Sequence, residues 1–317
     1  MAALTLLEAA KQSREAGETL KAGIIEQYAG KSPVLDVLAF EEVAGGTVEW
    51  LLERTLPTVA NRAINEAWSD SPGEVEERIE KVVIQGGEIK IDTAIVKLKG
   101  NGILSTQVAM KLKALQAKFH SDFFNGDAAV NPKSFSGLRA RASGTQLLNL
   151  GSTAGGDVLS LSQLRRAISR VRPLSPTGQV RIYSNLELAL RYGDAISNTA
   201  VAGFVTQTKG EFGVAAPTFM GIPWFPIEED AFGNQILPFT ETSPGGGAAT
   251  SSSIYIVAFG ASDLNGIQTG GIDVRDLGEM QTENSRLIRL DWLANFATYN
   301  PRCFCRLRGI RDAAFTA

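Results

Sequence analysis

Between Ile103 and Phe124 the chain commits to one long helix, and that segment constrains what the rest can build around it. Leu104, Val108, Leu112, Leu115, Phe119 and Phe123 are spaced by four, four, three, four and four residues, a single apolar stripe on a helical period. At 1.5 Å per residue the segment is a rod of roughly 33 Å. Asn125-Gly126 supplies the stop. Lys111, Lys113 and Lys118 fall on the solvated side, and nothing on the rod suggests catalysis. His120, the only histidine, lies between Phe119 and Ser121 and reads as a solvated helix-face residue. A loop opening at Asn-Gly-Asp then runs to Arg139 and Arg141.

The segment before the helix has a different period. In "TLPTVANRAINEAWSD", Asn61, Ala63, Asn65 and Ala67 alternate with Arg62, Ile64, Glu66 and Trp68, which predicts a strand. Ser69–Glu74 is a turn cluster, and "EVEERIEKVVIQ" returns as a second strand. After Gly86-Gly87, "EIKIDTAIVKLK" alternates again, with Ile89, Ile91, Thr93 and Ile95 on one face. A ribbon this charged on both faces has little to bury alone, and isolated two-stranded ribbons are marginal in water. It either lies across another surface or forms the edge of a mixed sheet. Residues 1–45 read as helical and then extended, ending at Gly45-Gly46, with too few large apolar residues for a core of their own.

Residues 151–284 form a second unit. "LSLSQLRRAISRV" is a helix with Leu161, Leu164, Ile168 and Val171 inward; "GQVRIYSN" is a strand and "LELALRYGDAIS" a helix. "MGIPWFPIEED" is an apolar strand, Ser243–Ser253 a flexible loop, and "IYIVAFG" a strongly apolar strand. The closing "SRLIRLDWLANFATYNPRCFCRLRGI" is two strands joined around Asn300-Pro301.

Chemistry is sparse. A single histidine removes most nucleophile–base arrangements, and Cys303 and Cys305 lack the further ligands of a zinc site. Placed two apart on a strand, both sulfurs share one face and read as small buried hydrophobes. Two cysteines offer no disulfide framework, which fits synthesis in a reducing compartment. "TSPGGGAAT", "GSTAGGD" and "NGIQTGGID" lack phosphate-loop spacing and read as loops. No catalytic, metal or cofactor residue is assigned. The net charge of −3 disfavours sequence-specific DNA binding, and no apolar run approaches the ~20 residues of a membrane span. Arg165, Arg166, Arg170 and Arg172 crowd one helix face; they are either a solvated face or a non-specific polyanion contact.

Taken in order, the arm, charged hairpin, long helix, second unit and returning strands resemble the major capsid protein of tailed double-stranded-DNA bacteriophages, the Hong Kong phage capsid fold. "RTLPTVANRAINEAW", "GGEIKIDTAIVK", "FFNGDAAVNPKSFSGLRAR", "FMGIPWFPIEED" and "NPRCFCRLRGI" carry the likeness. The resemblance implies an α+β fold with an N-terminal arm (1–46), an extended loop (47–100), a peripheral domain with a spine helix (101–150 and 285–317) and an axial domain (151–284). It implies hexamers and pentamers closing an icosahedral shell around double-stranded DNA, in the virion, after synthesis in a bacterial cytoplasm. Arg62, Ile64, Trp68, Glu74, Glu76 and Arg78 of the hairpin would meet a neighbouring subunit. Arg165, Arg166, Arg170 and Arg172 would face DNA. Partners would be other copies, a separate scaffold, a portal and a decoration protein, with no membrane and no cofactor. Some relatives begin with a scaffolding segment removed by a protease; here little precedes the arm, so a separate scaffold or an already mature chain is expected. Some also crosslink a hairpin lysine to an asparagine. Lys81, Lys90, Lys97, Asn295 and Asn300 do not match that motif, and no crosslink is expected. The alternatives are an encapsulin-like nanocompartment shell, a hydrolase using a carboxylate pair and a DNA-binding module.

Overall fold

The computed structural model describes residues 4–5, 32–99, 102–151, 153–176, 178–197, 207–209, 215–227, 229–230 and 233–315. The helical reading of the first 31 residues therefore falls almost wholly outside the described residues. In chain order, strands β1 (Leu4–Thr5) and β2 (Ala39–Glu42) pair antiparallel. Strands β3 (Thr47–Thr55) and β4 (Glu74–Lys81) make a separate two-stranded ribbon, and the chain continues directly into β5 (Val83–Asp92). Helices α1 (Thr93–Lys99), α2 (Gly102–Asn125) and the one-turn α3 (Leu138–Arg141) follow. Then come β6 (Leu147–Asn149), α4 (Leu161–Arg170), β7 (Gln179–Asn185), α5 (Leu186–Ser197), β8 (Gln207–Lys209), β9 (Ala215–Phe219) and β10 (Ile222–Ile227). The chain closes through β11 (Ser251–Phe259), β12 (Leu264–Glu279), β13 (Ser285–Thr298) and β14 (Phe304–Arg311).

Helix α2 is the predicted rod with its stripe turned inward. Leu112, Leu115, Phe119 and Phe123 are buried, and Leu104 and Val108 pack at the margin of the same core. Phe119 meets Trp292 of β13 at 5.0 Å between ring centroids and Phe135 at 5.7 Å. Phe124 instead meets Tyr255 of β11 at 5.3 Å and Tyr183 of β7 at 5.7 Å. The helix stops for steric reasons rather than through a left-handed glycine. A Cβ on Gly126 would collide with the carbonyls of Asp122 and Phe135, so only glycine lets the chain double back there.

Strand β11 shows why "IYIVAFG" is apolar throughout. It lies between β7 and β14, and its alternate side chains enter two different cores. Tyr255, Val257 and Phe259 join the α2 side, while Ile254, Ile256 and Ala258 join Leu164 of α4 and Tyr192 of α5. A strand covered on both faces has no polar side to display. It also begins earlier than expected, since Ser251, Ser252 and Ser253 are buried and paired rather than part of the flexible loop. Helix α4 opens with a capping box between Ser160 and Gln163.

Two further expectations are corrected, and a third, the two closing strands joined around Asn300-Pro301, holds with one refinement. "NGIQTGGID" is part of β12, not a loop; Gly270 and Gly271, both at positive φ, form the bulge at which β12 shifts register against β13. The third alternating run ends at Asp92. The Asp92 carboxylate accepts from the Ala94 amide at 2.8 Å, and residues 93–99 turn helical, so Thr93 and Ile95 are not strand residues. The returning strands also part company, with β13 lying between β12 and β5 and β14 beside β11 and β6. Phe119→Ala is expected to destabilise the unassembled chain by about 3–5 kcal/mol, read as a lower urea midpoint at unchanged slope.

Candidate functional site

Most of the hairpin is exposed. Residues 56–73 are irregular and, Ser71 apart, exposed; the turn expected from Ser69 fits this, but the strand expected from Val59 to Trp68 does not form, because alternation forms a strand only where another surface takes one of its faces. The tip nevertheless has local order. The Arg62 guanidinium donates to the Glu66 carbonyl at 3.0 Å and sits 5.3 Å from the Trp68 ring centroid. The Glu66 carboxylate accepts from the Ala63 amide at 2.9 Å. Ile64 projects from this small loop with 93% of its surface exposed, and Trp68 is 64% exposed. Leu56, Val59, Leu51, Val75 and Ile79 are also exposed, an apolar series that the sequence reading only partly collected. Glu76 and Arg78 pair along β4 at 2.9 Å, and Glu74 stands opposite Thr55 at the ribbon's far end.

The base of the ribbon is rigidly held. Arg141, sent inward by α3, forms an ion pair with Glu80 of β4 at 2.6 Å, with the two side chains only 10% and 24% exposed. Its remaining donors reach the carbonyls of Ser136 (2.7 Å) and Phe296 (3.2 Å), and its plane covers the Phe296 ring at 4.2 Å. Asn295 donates to the Lys81 carbonyl at 2.7 Å, and Trp50 of β3 packs edge-on against Tyr299 at 5.1 Å. Apart from Ser136, none of these partners is local in sequence, so no pattern announces them.

The other expectations sort as follows. Arg165 and Arg166 are exposed on α4, Arg170 is half-buried at its end, and Arg172 is exposed just beyond it. His120 is not solvated. It is buried against the Ser32 hydroxyl, whose oxygen accepts from the Leu35 amide at 2.9 Å and so keeps its own hydrogen for the imidazole. Burial pushes the His120 pKa down to about 4, which suits a neutral packing residue. Cys303 and Cys305 are both buried but enter different cores, Cys303 on the α2 side and Cys305 on the α4 side, rather than sharing a face. No cluster of potential metal ligands occurs among the described residues. Asn300 is buried and donates to Asp263 and the Arg172 carbonyl.

The body thus carries a ribbon whose apolar side chains the described residues leave uncovered. Residues 15–160 match the family described as major capsid protein GP7. No curated protein sequence matches. Among solved structures, the chain is similar to the SrpI encapsulin of Synechococcus elongatus PCC 7942, at TM-score 0.64 and 14% identity over 90% of each chain. It is similar to the capsid of cyanophage A-1(L) at TM-score 0.60 and 14% identity, covering 88% of this chain and 92% of that one. It is also similar to a Mycobacterium phage Ogopogo chain at TM-score 0.56 and 14% identity, covering 87% and 91%. The fold is that of the phage major capsid proteins. The structural likeness establishes the architecture, and the family match adds the role of a structural coat protein of the virion shell.

For this capsid protein the anchor has a measurable weight. Arg141→Met strands the Glu80 carboxylate and is expected to cost about 3–5 kcal/mol; adding Glu80→Gln should return a large part of that in a denaturation cycle. His120 gives a pH signature. Its folded pKa is depressed, so the unfolded chain binds the extra proton first as pH falls. The stability it contributes is present above about pH 6.5 and is lost towards pH 4, by up to about 3 kcal/mol. In His120→Gln the unfolding free energy should change less over that window than in the wild type.

Proposed function

We propose that the chain assembles as hexamers and pentamers into a closed icosahedral shell around double-stranded DNA, with the hairpin lying over a neighbouring subunit. The supporting observation is the contrast between the hairpin's pinned base and its exposed tip. Arg141 and Asn295 fix where the ribbon leaves the body, while Leu56, Val59, Ile64 and Trp68 remain uncovered. Burying one such side chain contributes about 1.5–3 kcal/mol, and a closed shell multiplies modest contacts through effective concentration. Arg62, Glu74, Glu76 and Arg78 would form the polar rim of this contact.

In this reading residues 1–46 are the arm, 47–100 the extended loop, 101–150 with 285–317 the peripheral domain around the spine helix α2, and 151–284 the axial domain. Arg165, Arg166, Arg170 and Arg172 meet packaged DNA through phosphates. A separate scaffold, a portal and a decoration protein complete the particle, and no catalytic turnover is needed. The likeness to an encapsulin favours a second reading, a cellular nanocompartment shell of the same fold, which particle diameter and nucleic-acid content would separate.

The test replaces residues 57–72 with Asn-Gly, a turn suited to a two-residue hairpin, so that β3 and β4 stay paired. Electron microscopy and sedimentation should then find soluble, folded subunits or capsomers without closed shells. Normal particles from this variant would remove the hairpin from the assembly interface.

A further inference from the structure

The two faces of the β3–β4 ribbon differ, and on the reading that this ribbon crosses to a neighbouring subunit the difference names the surface it meets. Cross-strand partners share a face, and the register sets Glu49 opposite Ile79, Leu51 opposite Glu77 and Glu53 opposite Val75. All six residues are exposed, Leu51 to 73%. They make a checkerboard of three carboxylates and three apolar groups with no positive charge among them. None of these glutamates is ion-paired among the described residues. On the opposite face Trp50, Leu52, Glu76 and Glu80 are half-buried, and Trp50 and Glu80 tie that face to the body. Across residues 47–81 eight acidic residues stand against four basic ones, a net of −4 in a chain whose total is −3.

The complement of the exposed face lies on the same chain. Residues 93–121 hold five lysines and no acidic residue. On α1, Ile95, Lys97 and Leu98 are exposed, Leu98 to 85%. On the first half of α2, Met110 and Lys113 are exposed as well, three residues apart and so neighbours on one helix face. Neither Lys97 nor Lys113 is ion-paired among the described residues. One copy does not bring its two surfaces together. The ribbon enters β5 at Val83, and α1 follows Asp92 at the other end. A ten-residue strand spans roughly 33 Å at about 3.3 Å per residue.

We propose that the exposed face of the ribbon docks on α1 and the first half of α2 of a second copy. The glutamates meet Lys97 and Lys113, and the apolar side chains meet Ile95, Leu98 and Met110. The two surfaces are unlike and lie at opposite ends of β5, so the contact is head-to-tail, the kind that closes into a ring when its rotation permits. Nucleic acid is a poorer occupant of this face, because phosphates leave its apolar groups unmatched. The arginine-bearing helix α4 is the poorer seat for the ribbon. Its exposed positions, Ser162, Arg165, Arg166 and Ser169, are all polar, which suits phosphates and not the apolar half of the checkerboard.

The test is sedimentation velocity on full-length protein over a concentration series, with electron microscopy of whatever forms. Glu49→Lys/Glu77→Lys and Lys97→Glu/Lys113→Glu are each expected to weaken self-association about tenfold or more, with circular dichroism and melting temperature unchanged. All four changes in one chain reverse both sides of the contact and should restore most of the association. Normal association of the α1–α2 variant, or no recovery in the fourfold variant, would overturn the docking. If the ribbon variant is impaired in either case, the hairpin still meets a neighbour and only its seat is wrong. A ribbon variant that associates normally, or wild-type protein that stays monomeric throughout, removes the contact altogether. Oligothymidylate that binds through Lys97 and Lys113 and blocks self-association would give the face to nucleic acid and overturn the proposal too.

Discussion

The packing of α2's aromatic end holds the molecule together. Phe119 is committed to β13 through Trp292, and five residues later Phe124 is committed to β7 and β11 through Tyr183 and Tyr255. One helix end thus joins the long β12–β13 pair to the sheet that α4 and α5 cover from the other side. Aromatic side chains suit this junction because each buries a large area with few rotatable bonds. Residues 32–40 depend on the same core. Val34, Leu35, Leu38 and Phe40 are buried in it, and Arg181 and Tyr183 both donate to the Pro33 carbonyl. Residues 32–40 are thereby firmly fixed to the body.

Legibility followed burial. The stripe of α2, the two-sided apolar run of β11 and the amphipathic α4 could all be read, because each period reports a surface that this chain itself covers. Residues 59–68 have a clean period of two and no strand, since no surface among the described residues takes either of its faces. Two other errors had local signals that were missed. Asp92 is a helix cap placed before "TAIVKLK", and Gly270-Gly271 marks a bulge within a strand as readily as a loop. His120 had no such signal, because its partner Ser32 lies 88 residues away.

The candidate site divides in the same way. Arg62, Ile64 and Trp68 were readable as residues with nothing local to bury them, and they are found together at the tip. The anchor was not readable, since Arg141 meets Glu80 and Phe296 only through the tertiary fold. The consequence for function is a separation of tasks. Intrachain energy is spent on aiming the ribbon, and the apolar residues that would stabilise the assembly are left outside the subunit's own core.

The placement of the two cysteines has a practical consequence. Each sulfur is sealed in a different core, and burial raises both thiol pKa values, that of Cys305 to about 12. Neither offers the thiolate that alkylating reagents attack. A maleimide pulse would therefore record openings of the native subunit, with Cys303 sampling the α2 core and Cys305 the α4 core. Two adjacent positions on one tryptic map become separate clocks for the two halves of the molecule.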